Sequence, residues 1–156
     1  MYSITLIVVG KLKEEQWKSA CEEYLKRMRP FSRMEIIELK DEPFLKPSEK
    51  NRILECEGGR IAGHIPRNSF VIALDREGTQ YSSERFAKAI KQIGEVGDHL
   101  VFVIGGPLGI SPSILKKASL CVSLSQLTFP HQLARVVLME QLYRAMAILH
   151  GKQYHY

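Results

Sequence analysis

Short, uniformly apolar runs alternate along the chain with segments in which apolar residues recur every three or four positions. Apolar runs bounded by turn residues are typical of strands covered on both faces, and the wider spacing is typical of helices with one buried face. Because strands and helices alternate, we expect one α/β domain over residues 1–156, with a mostly parallel sheet flanked by helices. The predicted strands cover Ser3 to Val9, Met34 to Leu39, Phe70 to Leu74, Leu100 to Ile104 and Leu120 to Leu124.

Helix signals lie between these strands. Ser48 is predicted to cap a helix that reaches about Ala62, in which Gly58 and Gly59 would cost about 1 kcal/mol each. Ser82 is predicted to cap the next helix. The remaining short helices are expected at about 17–28 and 113–117.

The longest predicted helix runs from His131 to Leu149 and is apolar around most of its circumference. Its polar residues are His131, Gln132, Arg135, Glu140, Gln141 and Arg144. A helix on one face of a sheet needs an apolar stripe of only about 100°. A second surface is therefore expected to cover this helix, either in a homodimer or within its own chain. Glu140 and Arg144, four residues apart, are predicted to form an ion pair.

Composition and charge narrow the class of protein. The hydrophobic fraction of 45% and the charged fraction of 25% are typical of globular domains. The sequence has neither a signal peptide nor an apolar run of membrane-spanning length, so we expect a cytoplasmic protein without a membrane partner. A net charge of +5 modestly favours a polyanionic partner. Cys21, Cys56 and Cys121 are too widely spaced to indicate a metal site and are expected to be reduced thiols.

Two loops follow buried strands at positions that suit a ligand. Gly105 to Gly109 comes at the carboxyl end of a strand, where open α/β sheets bind ligands. The loop lacks both glycine-rich phosphate fingerprints and contains no cation, so it suits a nucleoside-like ligand better than a polyphosphate. Leu124 to His131 is more apolar than a solvent loop and could wall an adenine pocket. The alternatives are a tight turn without ligand and a buried connector.

A pair of residues on the last helix and the C-terminal tail are the other candidates. His131 and Arg135 lie on one helix face. Arg135 needs an anionic partner, either a carboxylate of the fold or a phosphate of a substrate, and His131 could instead be only a helix cap. In the tail, Tyr154 could stack on an unpaired base and His155 could exchange a proton near neutral pH. A frayed, inert tail is the alternative.

Taken together, these segments resemble one known family. V-F-V-I-G-G-P-L-G, L-S-x-L-T-F-P-H-Q-L-A-R-V-V-L-x-E-Q-L-Y-R-A and the terminal Y-H are similar to the RlmH family, pseudouridine N3-methyltransferases of large-subunit ribosomal RNA in the SPOUT class. The block T-F-P-H-x-x-x-R-V-x-x-x-E-Q-x-Y-R-A is highly specific, and the resemblance covers the whole chain. Relatives often carry proline and a terminal basic residue where this chain has Gln153 and Tyr156.

The resemblance implies a fold, a donor and a product. The fold would be a SPOUT α/β-knot whose trefoil knot lies within roughly residues 70–150, an exception to the rule that chains do not thread their own loops. The protein would be a homodimer that uses S-adenosylmethionine, without a metal, to methylate N3 of a pseudouridine in 23S rRNA, in a stem-loop near the decoding centre of the large subunit or assembled ribosome. Carried over by position, the donor contacts would be Leu74, Gly105, Leu124, Ser125, Gln126, Leu127, Thr128 and Phe129.

Roles for the remaining candidates follow as hypotheses. His155 is the first candidate for handling the N3 proton and His131 the second. Tyr154 would position the base, and Arg135 would hold a phosphate or a developing negative charge. Two other functions remain open: a ribosome-binding assembly factor that transfers no methyl group, and a SPOUT methyltransferase that acts on another RNA base.

Overall fold

A computed structural model of the chain describes residues 1–97 and 99–154. Its strands are β1 (Tyr2–Val9), β2 (Ser32–Leu39), β3 (Ser69–Thr79), β4 (His99–Ile104) and β5 (Leu120–Val122). Its helices are α1 (Glu15–Met28), α2 (Lys50–His64), α3 (Ser83–Glu95), α4 (Pro112–Lys117) and α5 (His131–Leu149). The predicted alternation of strands and helices is confirmed, and α5 has the predicted bounds.

The five strands form one sheet in the order β2-β1-β4-β3-β5, and every pairing between them is parallel. All strands therefore end at the same side of the sheet, which we name the carboxyl edge. The predicted α/β fold with a parallel sheet flanked by helices is confirmed. The trefoil knot expected within residues 70–150 stays a prediction.

Alternate residues of the central strands face two separate hydrophobic layers. On one face, Leu6 and Phe102 are fully buried against α1, α3 and α5. On the other face, Ile7 and Val103 are fully buried against α2 and α4. Because both faces are covered, these strands read as continuous apolar runs rather than as an alternation of polar and apolar residues.

The two predicted helix caps have different outcomes. Ser82 caps α3 as predicted, because its hydroxyl accepts a hydrogen bond from the Arg85 amide at 3.3 Å. The cap predicted at Ser48 is wrong. Ser48 lies inside a 3-10 turn, Pro47–Glu49, and α2 begins only at Lys50. The proline fixes the φ angle that starts this turn, so the chain is already helical before Ser48 could act as a cap.

Gly58 and Gly59 in α2 differ in their surroundings. A Cβ atom at Gly58 would lie 2.3 Å from the Ser111 hydroxyl oxygen, whereas nothing lies within 4 Å of a Cβ at Gly59. Ser111 in turn caps α4 by accepting a hydrogen bond from the Ile114 amide. The absence of a side chain at Gly58 therefore allows α2 to pack closely on the start of α4.

Strands β3 and β5 end at other residues than predicted. β3 continues past Leu74 to Thr79, with an irregularity in its pairing to β5, and β5 stops at Val122. A Cβ at Gly78 would lie 2.7 Å from the backbone of Cys121, so the extension passes directly over β5. Hydrophobicity did not reveal this extension because its residues are mostly polar.

Packing within the single chain covers most of α5. Leu138, Met139 and Leu142 are completely buried, and the helix contacts both α1 and α3. Leu133 and Val137 remain half-exposed on one face, which we name the outer face of α5. Its own chain therefore buries one face of this helix, and the homodimer stays a prediction.

Candidate functional site

The carboxyl edge brings three of the predicted donor-binding segments together. Ala73 of β3 pairs with Val103 of β4, so Leu74 is level with the end of β4 and one residue from Gly105. Leu74 also pairs with Val122 of β5, two residues before the loop 124–129 begins. The sheet register therefore makes neighbours of segments that lie far apart in the sequence.

The glycine loop 105–109 folds back on itself. The Gly109 amide donates to the Gly106 carbonyl at 2.9 Å, and Gly109 has a φ of +88°, which favours glycine. A Cβ at Gly105 would lie 2.3 Å from the Gly109 carbonyl oxygen, so no side chain fits there. The loop is thus a tight turn that presents bare backbone at the end of β4, and this geometry is compatible with a ligand held by main-chain groups.

The loop that follows β5 is ordered by its own hydrogen bonds. The Ser123 amide donates to the Thr79 carbonyl at 2.9 Å, and the Ser125 hydroxyl accepts from the Leu127 amide at 3.0 Å. Arg76 on the β3 extension reaches the Thr128 hydroxyl at 3.4 Å. Gln126 makes no hydrogen bond within residues 1–97 and 99–154, and the Leu127 side chain is 73% exposed. The centre of this loop is therefore exposed and not a buried connector, and its binding of the donor stays a prediction.

His131 begins α5 at the carboxyl edge and packs on the end of β1. Its Nε2 would lie 3.1 Å from a Cβ at Gly10, so the imidazole packs closely on this glycine. Burial lowers the pKa of His131, and the nearby Arg135 guanidinium lowers that pKa further. Both effects favour the neutral imidazole, which can accept a proton.

Arg135 is 2% exposed and bonds to groups of its own chain. Its guanidinium forms an ion pair with Glu38 at 2.7 Å and donates to the Gly10 carbonyl at 3.1 Å. Its Nε has no hydrogen-bond partner in the described part of the chain. Of the two anionic partners considered for Arg135, the structure therefore provides a carboxylate of the fold. These contacts tie the first turn of α5 to the ends of β1 and β2.

The described part of the tail packs on the middle of α5. Tyr154 donates to Glu140 at 3.3 Å, stacks edge-on against Tyr143 at 4.7 Å between ring centroids, and lies under the Arg144 guanidinium. Burial is the main cause that raises the pKa of Tyr154 to about 12. Glu140 and Arg144 form the predicted ion pair at 2.6 Å, which confirms it.

Tyr154 and His131 do not meet within one chain. Glu140, the partner of Tyr154, lies nine residues along α5 from His131, which is about 14 Å at 1.5 Å per residue. His155 lies outside the described residues. The structure therefore groups His131 and Arg135 with the carboxyl edge and places Tyr154 on a different part of the helix.

The sequence pattern did not single out three residues that contact the candidate site. Glu38 holds Arg135, Gly10 accommodates His131, and Glu57 lies against the glycine loop. Only Glu57 left a signal: it stands between Ile53 and Ile61 at spacings of four, on the buried stripe of α2. Glu38 and Gly10 become recognisable only when strand register places them beside α5.

Among residues 1–97 and 99–154, no group of three or more His, Cys, Asp or Glu is arranged to hold a metal ion. No helix in that part of the chain is both long and apolar enough to cross a membrane. Cys21, Cys56 and Cys121 are free thiols.

Comparison with known proteins identifies the family. A family model described as "Predicted SPOUT methyltransferase" matches residues 2–155. The chain is similar to the "Ribosomal RNA large subunit methyltransferase H" of Enterococcus faecalis, at 46% identity over 97% of this chain and 98% of the relative. The protein of the same name from Carboxydothermus hydrogenoformans is 44% identical, with the same coverage of both chains.

A solved structure supports the fold alone. The crystal structure of a methylase family protein from Neisseria gonorrhoeae matches with a TM-score of 0.55 and 12% identity, over 91% of this chain and 82% of the other. The family model and the curated relatives cover nearly the whole sequence, including every segment at the carboxyl edge. The chain therefore belongs to the SPOUT methyltransferase family, within the group named ribosomal RNA large subunit methyltransferase H.

Proposed function

We propose that this protein transfers a methyl group from S-adenosylmethionine to N3 of a pseudouridine in the 23S rRNA of the large ribosomal subunit. The observation that carries the proposal is the alignment over 97% of the chain with relatives named for methylating large-subunit ribosomal RNA. The protein would act in the cytoplasm, on rRNA folded within the subunit or the assembled ribosome.

The residues at the carboxyl edge fit such a donor. S-adenosylmethionine supplies an electrophilic methyl group on a positively charged sulfur. Gly105 presents backbone without a side chain, Gln126 has main-chain groups free of partners in the described chain, and Leu74 and Leu127 offer apolar surface. Together with Leu124, Ser125, Thr128 and Phe129, these residues would hold the adenosyl group by main-chain hydrogen bonds and apolar contact.

The proton on N3 needs an acceptor, because the nucleophile is the deprotonated nitrogen. His131 is a suitable acceptor since its lowered pKa keeps the imidazole neutral. His155 remains the first candidate of the tail and Tyr154 the candidate for stacking on the base. We assign Arg135 a positioning role, because its guanidinium is occupied by Glu38 and the Gly10 carbonyl.

A homodimer would complete this site. Glu140, which Tyr154 contacts, lies about 14 Å along α5 from His131 in the same chain, so Tyr154 and His131 are too far apart to contact one base. The outer face of α5, with Leu133 and Val137, is apolar and half-exposed. We therefore propose that two copies pack through this face and that the tail of one protomer serves the carboxyl edge of its partner.

The function is tested in a bacterial strain that lacks its own pseudouridine N3-methyltransferase. Expression of this chain is expected to restore N3-methylpseudouridine at the missing 23S rRNA position, measured by base-resolved mass spectrometry. Methylation of a different base or RNA would replace the proposed substrate with another. Ribosome binding without S-adenosylmethionine binding in calorimetry would instead identify an assembly factor.

The proton acceptor is tested by single-turnover methyl transfer. His155→Ala is expected to slow the methyl-transfer step while leaving donor binding intact. An unchanged rate would exclude His155 and leave His131 as the acceptor.

A further inference from the structure

Glu57 is a buried acidic residue directly beneath the glycine loop. It is 3% exposed and lies on the inner face of α2, in line with the buried Ile53 and Ile61. Its Oε1 accepts a hydrogen bond from the Glu42 amide at 3.1 Å, and its Oε2 lies 3.3 Å from the position of a Cβ at Gly106. The carboxylate therefore touches the loop that is proposed to bind the methyl donor.

This carboxylate forms no ion pair within residues 1–97 and 99–154, although the nearby Arg60 guanidinium attracts it weakly and lowers its pKa. Arg60, one turn further along α2, uses its guanidinium on the Glu42 carboxylate and the Lys40 carbonyl. Burial raises the pKa of Glu57, while the hydrogen bond from the Glu42 amide opposes that rise. A buried carboxylate without an ion pair is costly, and a cation in direct contact would offset the cost. A positively charged ligand at the glycine loop would provide that cation.

On the basis of the proposed function, we propose that Glu57 makes the glycine loop selective for the cationic methyl donor over the neutral product. During transfer the N3–CH3 bond forms and the S–CH3 bond breaks, with its electron pair remaining on sulfur. The N3 proton passes to the acceptor and then to water. Sulfur changes from a sulfonium to an uncharged thioether, so the attraction of Glu57 holds the donor and is lost in S-adenosylhomocysteine.

The proposal is tested by calorimetric binding of three ligands to wild type and to Glu57→Gln. Glutamine keeps the shape and can still accept the hydrogen bond from the Glu42 amide, but it removes the charge. S-adenosylmethionine is expected to bind about fivefold more weakly to the variant, as for a charge pair separated by several ångströms in a partly screened site. Sinefungin, which has an ammonium group in place of the sulfonium, should lose the same factor. S-adenosylhomocysteine should change by less than about twofold.

Matched variants separate charge from structure. Glu55→Gln removes an exposed carboxylate from the same helix and is expected to change none of the three affinities. Glu57→Asp keeps the charge and is expected to retain the wild-type ratio of donor to product affinity. The affinities for donor and product are measured on the same sample of each variant. A general loss of folded protein therefore affects both affinities equally and leaves their ratio unchanged.

The possible results separate this inference from the proposed function. If Glu57→Gln weakens all three ligands equally, Glu57 only shapes the loop and the selectivity proposal is wrong. If wild type binds S-adenosylmethionine and S-adenosylhomocysteine equally well, the proposal is also wrong, although the proposed function stands. If wild type binds none of the three ligands, both fail.

Discussion

Three polar residues beside the carboxyl edge each depend on one specific neighbour. His131 fits against Gly10, Arg135 is held by Glu38, and Glu57 lies under the glycine loop. His131 and Arg135 could be selected from the sequence because they interrupt an apolar helix. Glu57 was overlooked because α2 carries many charged residues and only the stripe of apolar positions distinguishes the buried one.

His131 is expected to make the stability of the protein depend on pH. Its pKa is lower in the folded chain than the value of about 6.5 expected on unfolding, so the unfolded chain binds more protons in the interval between the two. The free energy of unfolding should therefore fall as pH falls below about 6.5, until the folded pKa is passed. Thermal melts of wild type and His131→Gln between pH 7.5 and 5.5 measure the difference.

The exposed His64 provides the control for this prediction. His64→Gln is expected to leave the pH dependence of wild type unchanged, whereas His131→Gln should flatten it. Equal pH dependence of His131→Gln and wild type would show that burial of His131 does not control acid stability.

At the scale of single elements, α2 and α5 depend on close contacts that hydrophobic periodicity does not reveal. The periodicity located α5 completely, because its apolar positions extend over its whole length. The predicted start of α2 was one residue too early, since a proline-initiated turn precedes the helix. The extension of β3 was missed because backbone pairing with β5, and not side-chain burial, maintains it.

The two adjacent glycines of α2 are expected to respond oppositely to alanine. Gly58→Ala should destabilise the protein by about 1–3 kcal/mol, since the new methyl group overlaps the Ser111 hydroxyl. Gly59→Ala should stabilise it by about 0.5–1 kcal/mol, because alanine favours the helix and nothing lies nearby. Urea unfolding measures both free energies. Equal effects of the two substitutions would mean that α2 and α4 are not closely packed at Gly58.

Removing Glu38 from its ion pair with Arg135 is expected to destabilise the protein more than removing Arg135. Glu38→Gln leaves the buried guanidinium without a charged partner and should cost about 2 kcal/mol or more. Arg135→Met should cost less, because the Glu38 carboxylate is 35% exposed and water can solvate it. Urea unfolding of both variants gives the order of the two costs. A larger cost for Arg135→Met would contradict the asymmetry.

At the scale of the whole molecule, the separation between Tyr154 and the carboxyl edge is the main argument for a second copy. One chain has the loops predicted to bind the donor, together with His131, at one end of α5 and the tail beside the middle of that helix. A single protomer therefore does not bring all the predicted site residues together. The outer face of α5 is the apolar surface through which two copies would combine.

Val137→Asp is expected to convert the proposed dimer into a folded monomer. Val137 lies on the outer face of α5 and is only half-buried in one chain, so a carboxylate there should oppose association more than folding. Light scattering after gel filtration should show the mass falling to half. Val96→Asp, at a valine that is 75% exposed, is the matched control and should leave the dimer intact. A wild-type protein that is already monomeric would overturn the proposed assembly.

The sequence by itself determined the order of strands and helices, the parallel sheet and the position of both loops that are predicted to bind the donor. Those features depend on the spacing of apolar residues and on the positions of glycines, and both are visible in short stretches of the sequence. Tertiary structure alone decided which distant residues meet: Glu38 with Arg135, Gly10 with His131, and Glu57 with Gly106. Strand register and helix packing create these contacts between segments far apart in the chain, so no local pattern encodes them.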